Sequence, residues 1–341
     1  MTRQKPRMQY FTRALNEALR DVMRADERVI VMGEDVDRSV SGATRGLIEE
    51  FGAARLRNTP ISEATMAGAA VGAAMTGLRP VVDLMYGSFL YLAMDQVLNQ
   101  AARWRYMSGG RAELPIVYMA QLGPSSSAAA QHSEAPHAMM MHGAGIKVVV
   151  PSTPADAKGL MTAAVRDPNP VVFFRDAALG GTRGPVPEES FEIPLGVADV
   201  KRAGDDVTVV AIASTVQAAL AAAEQAAQDG GCSVEVIDPR TLVPLDLDAI
   251  LASVARTGRL VVCDNGRRTA GAAAEIVSRV VEAAWDALRC APAIVACPDV
   301  PMPFSPPLER ALLVDAERVG AAIRQVAAAP TASVRPAEAR R

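Results

Sequence analysis

The sequence predicts an α/β protein of two domains, each built around a parallel sheet. Short runs of β-branched residues, bounded by turn residues, alternate with longer Ala- and Leu-rich stretches of helical periodicity, a pattern typical of βαβ units. The chain has 341 residues, more than the roughly 250–300 at which a single hydrophobic core stops growing. We expect a first domain over residues 1–195 and a second over residues 205–329.

Five strands and four helices are predicted for the first domain. The strands are short apolar runs at residues 29–32, 81–85, 116–119, 147–150 and 171–174. The helices have the longer period and lie at residues 11–24, 64–77, 90–107 and 154–166. Ser152 and Thr153 are N-cap candidates, so the last helix is expected to begin at Pro154.

The chain changes character after Gly180. Residues 180–206 are rich in Gly, Pro and Glu without a strong period, which predicts a surface linker from about residue 180. Strands are then predicted at residues 207–213, 233–237, 260–263 and 293–296, with helices between them at residues 216–228, 247–256 and 272–288. Residues 330–341 are expected to form a disordered tail.

The composition argues against several classes of function. Half of the residues (50%) are apolar and the net charge is -3, which gives no electrostatic reason to bind nucleic acid. Apolar runs such as residues 207–213 are far shorter than the roughly 18 residues of a membrane span. The N-terminus lacks the apolar segment of a secretory signal, and the four cysteines form no CxxC pair. We therefore expect a cytoplasmic protein that binds neither nucleic acid nor membrane.

Two carboxylates lie where parallel sheets bind ligands, just beyond predicted strand ends. Glu34 lies in VIVMGED, and Glu63 lies in NTPISEA at the start of a helix. An acidic residue in a first helical turn also interacts favourably with the helix dipole, so position alone leaves a structural reading open. Neither a Walker loop nor a GxGxxG motif after a strand occurs, so no nucleotide-phosphate site is predicted.

The three histidines of the chain all lie within residues 131–142, in a stretch that is predicted to be a loop. Histidine suits proton transfer near neutral pH, and loops on rigid scaffolds often carry such groups. Solvated imidazoles are the alternative. A metal site is a weaker one, because no acidic or thiol companion is spaced to complete it.

Several motifs together identify a family resemblance. They are GEDV at Gly33, NTPISEA at Asn58, AMDQVLNQAARWRYMSGG at Ala93, AQHS at Ala130, VIDPRTLVPLD at Val236 and DVPMPFSPPLE at Asp299. In order and spacing they resemble the β subunit of the thiamine-diphosphate-dependent E1 component of 2-oxo acid and acetoin dehydrogenase complexes. The resemblance runs from about residue 8 to residue 327. It implies a pyrimidine-binding domain followed by a transketolase C-terminal-like domain.

The resemblance also implies a cofactor shared between two chains. An E1 α subunit would hold the diphosphate and its Mg²⁺, since this chain lacks the GDG-plus-Asn magnesium motif. Glu63 matches the carboxylate that hydrogen-bonds pyrimidine N1′, and Glu34 matches a second carboxylate near the cofactor. Phe89 matches an aromatic residue against the pyrimidine ring. His132 matches a histidine at the substrate end, which is implicated in decarboxylation or in transfer to the lipoyl arm.

Other implied features are an ion and an assembly. Some family members hold a structural potassium ion at positions that match Ile116, Ala164, Val165, Asp167 and Asn169. The family forms α2β2 heterotetramers that pass the acyl group to the lipoyl domain of an E2 acyltransferase. The second domain has no motif of its own, and family analogy assigns it to assembly and to the E2 contact.

The chain also departs from the family pattern. Arg175 stands where the family usually has glutamate. After AQHS the family usually has an aromatic pair and a His-x-Pro-Gly turn, whereas this chain has APHAMMMHGAG, with Met139, Met140 and Met141. Pyruvate, a branched-chain 2-oxo acid and acetoin all remain possible substrates. A stand-alone transketolase or synthase is disfavoured because the diphosphate-binding half is absent. The remaining alternative is a non-catalytic paralogue that acts as a scaffold or regulatory subunit.

Overall fold

The structure, a computed structural model, describes residues 7–124 and 127–330. The strands are β1 (Met8–Tyr10), β2 (Val29–Gly33), β3 (Leu56–Asn58), β4 (Arg79–Tyr86), β5 (Val117–Leu122), β6 (Lys147–Val149), β7 (Val171–Asp176), β8 (Arg183–Pro185), β9 (Asp199–Arg202), β10 (Val207–Ala211), β11 (Val234–Asp238), β12 (Thr241–Val243), β13 (Leu260–Arg267) and β14 (Ala293–Cys297). The tail predicted at residues 330–341 lies, apart from Pro330, outside the described residues.

Helices of three kinds connect these strands. The α-helices are α1 (Phe11–Ala25), α2 (Leu47–Phe51), α3 (Glu63–Met75), α4 (Ala102–Met107), α5 (His137–Met141), α6 (Pro154–Arg166), α7 (Thr215–Gly230), α8 (Leu247–Thr257), α9 (Ala272–Ala284), α10 (Pro306–Leu312) and α11 (Ala316–Ala328). Short 3-10 helices lie at Gly87–Ala93, Ala130–His132, Ala177–Leu179 and Trp285–Ala287, and a π-helix lies at Asp95–Ala101. Within the described ranges, no helix has the length and apolar character needed to cross a membrane.

The first domain is built on a seven-stranded sheet of order β12-β6-β7-β5-β4-β2-β3. Six of these strands are parallel to their neighbours, which confirms the predicted parallel sheet. The seventh, β12, is antiparallel to β6 and comes from the range predicted for the second domain. The chain therefore crosses back to complete the first sheet.

The second domain is built on a sheet of order β14-β13-β10-β11-β9. Four of its strands are parallel, as predicted, and β9 is antiparallel to β11. β9 lies in the segment predicted to be a linker, and so does β8, which pairs antiparallel with β1. The linker therefore contributes two short strands instead of only lying on the surface. The domain boundaries at residues 195 and 205 stay a prediction.

Helices α1 and α6 cover one face of the first sheet. α1 buries Phe11 and Leu15, one helical turn apart, in the same hydrophobic cluster as the apolar side of α6. α6 begins at Pro154, which confirms the predicted start. The reason is the expected cap, because the Thr153 hydroxyl accepts a 3.1 Å hydrogen bond from the Asp156 backbone N–H.

The continuous helix predicted over residues 90–107 is wrong. The chain there forms a 3-10 helix, the π-helix Asp95–Ala101 and then α4. Apolar periodicity does not distinguish i→i+4 from i→i+5 hydrogen bonding, so the sequence pattern could not reveal the wider turns. The π-helix lies close to α3, since a Cβ added at Gly68 would come within 3.4 Å of Gln96 Cγ.

A buried ionic cluster joins the two domains. Lys201 Nζ lies 2.9 Å from Asp156 and 3.3 Å from Asp238, and Arg240 Nε lies 2.8 Å from Asp156. Ser152 donates a hydrogen bond to Asp238. Burial, together with the charge of Asp156, raises the pKa of Asp238 to about 6. The contact between the domains therefore contains a carboxyl group whose charged form is disfavoured.

Candidate functional site

The four predicted site residues follow the carboxyl ends of neighbouring strands. Glu34 directly follows β2, Glu63 begins α3 after β3, Phe89 follows β4, and His132 lies on the segment after β5. In the sheet these strands have the order β5-β4-β2-β3. Because the strands are parallel, their carboxyl ends meet at one edge, where open α/β sheets bind ligands.

Glu63 is a largely buried residue at this edge. It is the first residue of α3, and only 7% of it is exposed. Its side chain forms no hydrogen bond within the described part of the chain. Its oxygens are not among the fully buried side-chain atoms that lack a partner, so the carboxylate is open to a ligand or a partner chain at this edge.

Glu34 is half-buried and lies within electrostatic range of Glu63. Burial, together with the charges of Asp35 and Glu63, raises the pKa of Glu34 above its ordinary value. The backbone before it is tightly packed, since a Cβ added at Gly33 would lie 2.5 Å from the Asp83 carbonyl oxygen. The charged form of Glu34 is therefore disfavoured at this edge, where a second carboxyl group, that of Glu63, lies nearby.

Phe89 and His132 pack against each other and against Tyr86. The ring centroids are 5.6 Å apart for Phe89 and His132, 4.5 Å for Tyr86 and His132, and 5.5 Å for Tyr86 and Phe89, and every pair is edge-to-face. The backbone supports the contact, because the Ser88 hydroxyl donates a 2.5 Å hydrogen bond to the Gln131 carbonyl oxygen. The orientation of the His132 imidazole is thus fixed by two aromatic rings.

A cavity of about 440 Å³ opens beside two of these rings, those of Phe89 and His132, within the range of small-molecule sites. It is lined by Ser88, Phe89, Tyr91, Ala130, Gln131, His132 and Glu134. Phe89 and His132 therefore border one space. Glu34 and Glu63 lie outside this lining, so the structure groups the four predicted residues as an acidic pair and an aromatic-imidazole group along one sheet edge.

Sequence reasoning does not identify Tyr86, although it makes the closest ring contact with His132. The residue ends β4, three positions before Phe89, at the point where the strand passes into a 3-10 helix. An aromatic residue at a strand end that also precedes a predicted site residue is the signal that would have found it.

The other two histidines have different surroundings. His137 is fully buried, and its Nε2 lies 2.9 Å from the Asp264 carboxylate of β13. His142 is exposed. Between residues 7 and 330, leaving aside 125 and 126, no group of three or more His, Cys, Asp or Glu side chains is placed to hold a metal ion.

The five residues that match a potassium site lie around the start of β5 and the end of α6. Several of their oxygens already accept hydrogen bonds. The Ile116 carbonyl oxygen accepts from the Val171 backbone N–H at 2.8 Å. The Asp167 carboxylate accepts hydrogen bonds from the backbone N–H and from the side-chain amide of Asn169, each at 2.9 Å.

Three cationic side chains also bind this group of oxygens. Arg79 donates to the Val165 carbonyl oxygen at 2.9 Å, Arg105 donates to Asn169 Oδ1 at 2.9 Å, and Lys147 pairs with Asp167. Ala164, the fifth residue, is buried, and its carbonyl accepts from the Asp167 backbone N–H at 3.3 Å. A potassium ion bound here would lie beside three positive charges, so the donor set fits that ion poorly.

Both parts of the chain match known domain families. The transketolase pyrimidine-binding domain matches residues 8–179, and the transketolase C-terminal domain matches residues 196–319. The solved structure of a split-gene transketolase, an inactive beta4 tetramer, superposes with a TM-score of 0.75 at 23% identity, covering 93% of this chain and 98% of that one. At that identity the likeness shows the fold alone.

Curated relatives are similar along nearly the whole chain. The acetoin:2,6-dichlorophenolindophenol oxidoreductase subunit beta of Bacillus subtilis (strain 168) is 43% identical, covering 90% of this chain and 93% of the relative. The pyruvate dehydrogenase E1 component subunit beta of Rhizobium meliloti (strain 1021) is 45% identical, covering 92% of this chain and 68% of the relative. The 2-oxoisovalerate dehydrogenase subunit beta of Bacillus subtilis (strain 168) is 39% identical, covering 92% of this chain and 97% of the relative.

The resemblance found in the sequence is thereby confirmed, since the relatives and both domain families agree with it. This chain belongs to the family of E1 β subunits of 2-oxo acid and acetoin dehydrogenases, which join a transketolase pyrimidine-binding domain to a transketolase C-terminal domain.

Proposed function

We propose that this chain is the β subunit of a heterotetrameric E1 that uses thiamine diphosphate to decarboxylate a 2-oxo acid or to cleave acetoin. The acyl group then passes to the lipoyl domain of an E2 acyltransferase. The observation that carries the proposal is Glu63, a residue only 7% exposed whose carboxylate has no hydrogen bond within the described chain, at the sheet edge that also holds Phe89 and His132.

Glu63 fits the pyrimidine of thiamine diphosphate. A carboxyl group that lacks a partner in its own chain is completed by a ring nitrogen with which it shares a proton. When bound, the cofactor supplies a nucleophilic carbon for the substrate carbonyl and an electron sink for carbon–carbon cleavage. Glu63 would share a proton with pyrimidine N1′ and would thereby make the exocyclic nitrogen of the ring more basic.

Glu34 affects the electrostatic environment of the Glu63 carboxylate. Because its pKa is raised, Glu34 binds a proton more readily than an exposed glutamate, and it lies within electrostatic range of Glu63. Less repulsion then acts on the Glu63 carboxylate. Phe89 offers the pyrimidine a flat apolar surface whose edge packs on His132.

His132 is assigned to the substrate end of the site. Its ring is held by Tyr86 and Phe89 and borders the 440 Å³ cavity. An imidazole N–H fixed in this way donates a hydrogen bond to negative charge that develops on the substrate oxygen, without a cost of reorientation. The same group can return a proton during transfer to the lipoyl arm.

The diphosphate and Mg²⁺ are assigned to an E1 α subunit, with an α2β2 assembly, on the family resemblance. Potassium has no part in the proposal, because Arg79, Arg105 and Lys147 already bind the oxygens it would need. The names of the relatives leave pyruvate, 2-oxoisovalerate and acetoin as substrate candidates. They are names of enzyme subunits and favour the enzyme over a scaffold.

The test is a reconstitution. The chain is purified alone and with an E1 α subunit, and each sample receives thiamine diphosphate, Mg²⁺, an artificial electron acceptor and one of pyruvate, 2-oxoisovalerate or acetoin. Turnover is expected only in the mixed sample. A stable tetramer that binds the cofactor but converts none of the three substrates would contradict the proposal and favour a non-catalytic subunit.

A further inference from the structure

We propose that the second domain positions His132, and that Arg267 does so through its ion pair with Glu134. The inference rests on the proposed function, in which His132 meets the substrate. Glu134 lies two residues after His132, and Arg267 ends strand β13 of the second domain. Arg267 is thus a positioning residue for a site in the other domain, a role beyond assembly.

The ion pair has the geometry that fixes a side chain in orientation as well as distance. Arg267 Nη1 and Nη2 donate to the two carboxylate oxygens of Glu134 at 2.7 and 2.8 Å, a two-pronged contact that a point charge does not provide. The Tyr91 hydroxyl donates to Glu134 at 3.3 Å. Burial, with the nearby Glu134 charge, raises the pKa of Tyr91 to about 12, so this donor keeps its proton near neutral pH.

Two further contacts bind the same segment to the second domain. Before His132, the Ser127 backbone N–H donates to Glu309 at 3.4 Å. After it, the buried His137 ring lies 2.9 Å from Asp264. The second domain therefore contacts the segment on both sides of His132. The Glu134 contact is the nearest of the three in sequence.

The first domain bounds the segment from the opposite side. A Cβ added at Gly87 would lie 2.7 Å from the Gln121 carbonyl oxygen and 2.8 Å from Pro136 Cδ, so Pro136 lies directly against this turn. Ser88 donates to the Gln131 carbonyl oxygen. The segment therefore contacts both domains, and losing Arg267 removes one of the three contacts with the second domain.

The experiment uses the α2β2 enzyme with Arg267→Met and Arg267→Lys. We expect kcat to fall roughly 10- to 100-fold in Arg267→Met, as for a displacement of about 1 Å in a reacting group, with a smaller loss in Arg267→Lys and an unchanged KM for thiamine diphosphate. Backbone amides of residues 129–142 should exchange hydrogen faster in Arg267→Met even without cofactor. Arg256→Met is the control, because it removes an ion pair of 2.6 Å with Glu235 in the same domain.

A charge exchange separates positioning from folding. Arg267→Glu alone should lose activity, and Glu134→Arg with Arg267→Glu should recover part of it. Wild-type kcat and amide exchange in Arg267→Met, equal losses in Arg267→Met and Arg256→Met, or no recovery in the double variant would each overturn the inference. Loss of turnover in His132→Ala but not in Arg267→Met would sink this inference alone, whereas a wild-type tetramer without turnover would sink the proposed function.

Discussion

Arg175 donates a 3.0 Å hydrogen bond to the backbone carbonyl oxygen of Met85, the residue before Tyr86. Met85 has a φ of +60°, a left-handed conformation that a non-glycine residue adopts only when its surroundings hold it there. Asp83 helps, because its carboxylate accepts from the Met85 backbone N–H at 2.9 Å and lies 3.5 Å from Arg175. The unusual arginine therefore supports the turn that leads into the aromatic rings around His132.

Replacing Arg175 by the family's usual residue should harm this protein. Arg175→Glu places a carboxylate beside Asp83 and removes the donor to Met85, both in a buried setting. We expect a loss of about 3–5 kcal/mol in the free energy of unfolding, the range for breaking a buried ion pair, together with lower turnover. Denaturant unfolding measures the first.

The control for that substitution is Arg166→Glu, which breaks a surface pair with Glu192 and should cost no more than about 1 kcal/mol. If Arg175→Glu gains activity with ordinary 2-oxo acids, the supporting role assigned to Arg175 is wrong and the arginine instead displaces a contact shared by the family.

Glu63→Gln should abolish activation of the cofactor without unfolding the chain. The amide keeps the size of the side chain but cannot share a proton with pyrimidine N1′ in the same way, and the substitution breaks no hydrogen bond within the described residues. Exchange of the thiamine diphosphate C2 proton in the α2β2 enzyme is the measurement. Glu49→Gln, on the exposed side of α2, is the matched control, and exchange at the wild-type rate in Glu63→Gln would refute the role.

His132→Ala should lower kcat by roughly 10²–10³, the usual effect of losing one donor to a developing oxyanion, while the affinity for thiamine diphosphate changes little. Steady-state kinetics and a cofactor titration separate the two quantities. His142→Ala removes an exposed imidazole of the same segment and should behave as wild type. Unchanged kinetics in His132→Ala would mean that the ring is only a packing partner of Tyr86 and Phe89.

The junction between the domains should be sensitive to pH. The pKa of Asp238 is about 6 in the fold and near 3.9 in an unfolded chain, so between these values the native state binds the extra proton. Its contribution to stability is fully present below about pH 4 and is lost as the pH rises through 6. Asp238 faces Lys201, Asp156 and Ser152.

Asp238→Asn isolates this effect. The free energy of unfolding of the wild type, measured relative to that of Asp238→Asn, should decrease between pH 4 and pH 7, by an amount on the order of 2–3 kcal/mol. Parallel stability curves for the two proteins over this range would show that Asp238 does not titrate there.

Local signals predicted the regular parts of the fold. Thr153 and Pro154 place the start of α6 correctly, because a hydroxyl cap and a proline act within one helical turn. The strand β12 was not predicted, because its only evidence is pairing with β6, more than ninety residues earlier in the chain. Three apolar or β-branched residues carry no such long-range information.

Sequence motifs likewise revealed one part of the candidate site and not the other. Glu34, Glu63, Phe89 and His132 were proposed from motifs, and the structure places all four at one sheet edge, although their roles stay predictions. Arg267 carried no signal, because one of two adjacent arginines at the end of a strand, followed by Thr269, Ala270 and Gly271, is ordinary. Its importance depends on a partner in another domain, and only the tertiary structure reveals that contact.

The origin of β12 also bears on how the protein is made. The chain must emerge from the ribosome beyond residue 243 before β12 can join the first sheet. The N-terminal domain therefore cannot finish folding as an independent unit during synthesis. A fragment cut in the linker would leave the free hydrogen-bonding groups of β6 open to pairing with other chains. We expect such fragments to aggregate, and a split of this gene would succeed only after β12.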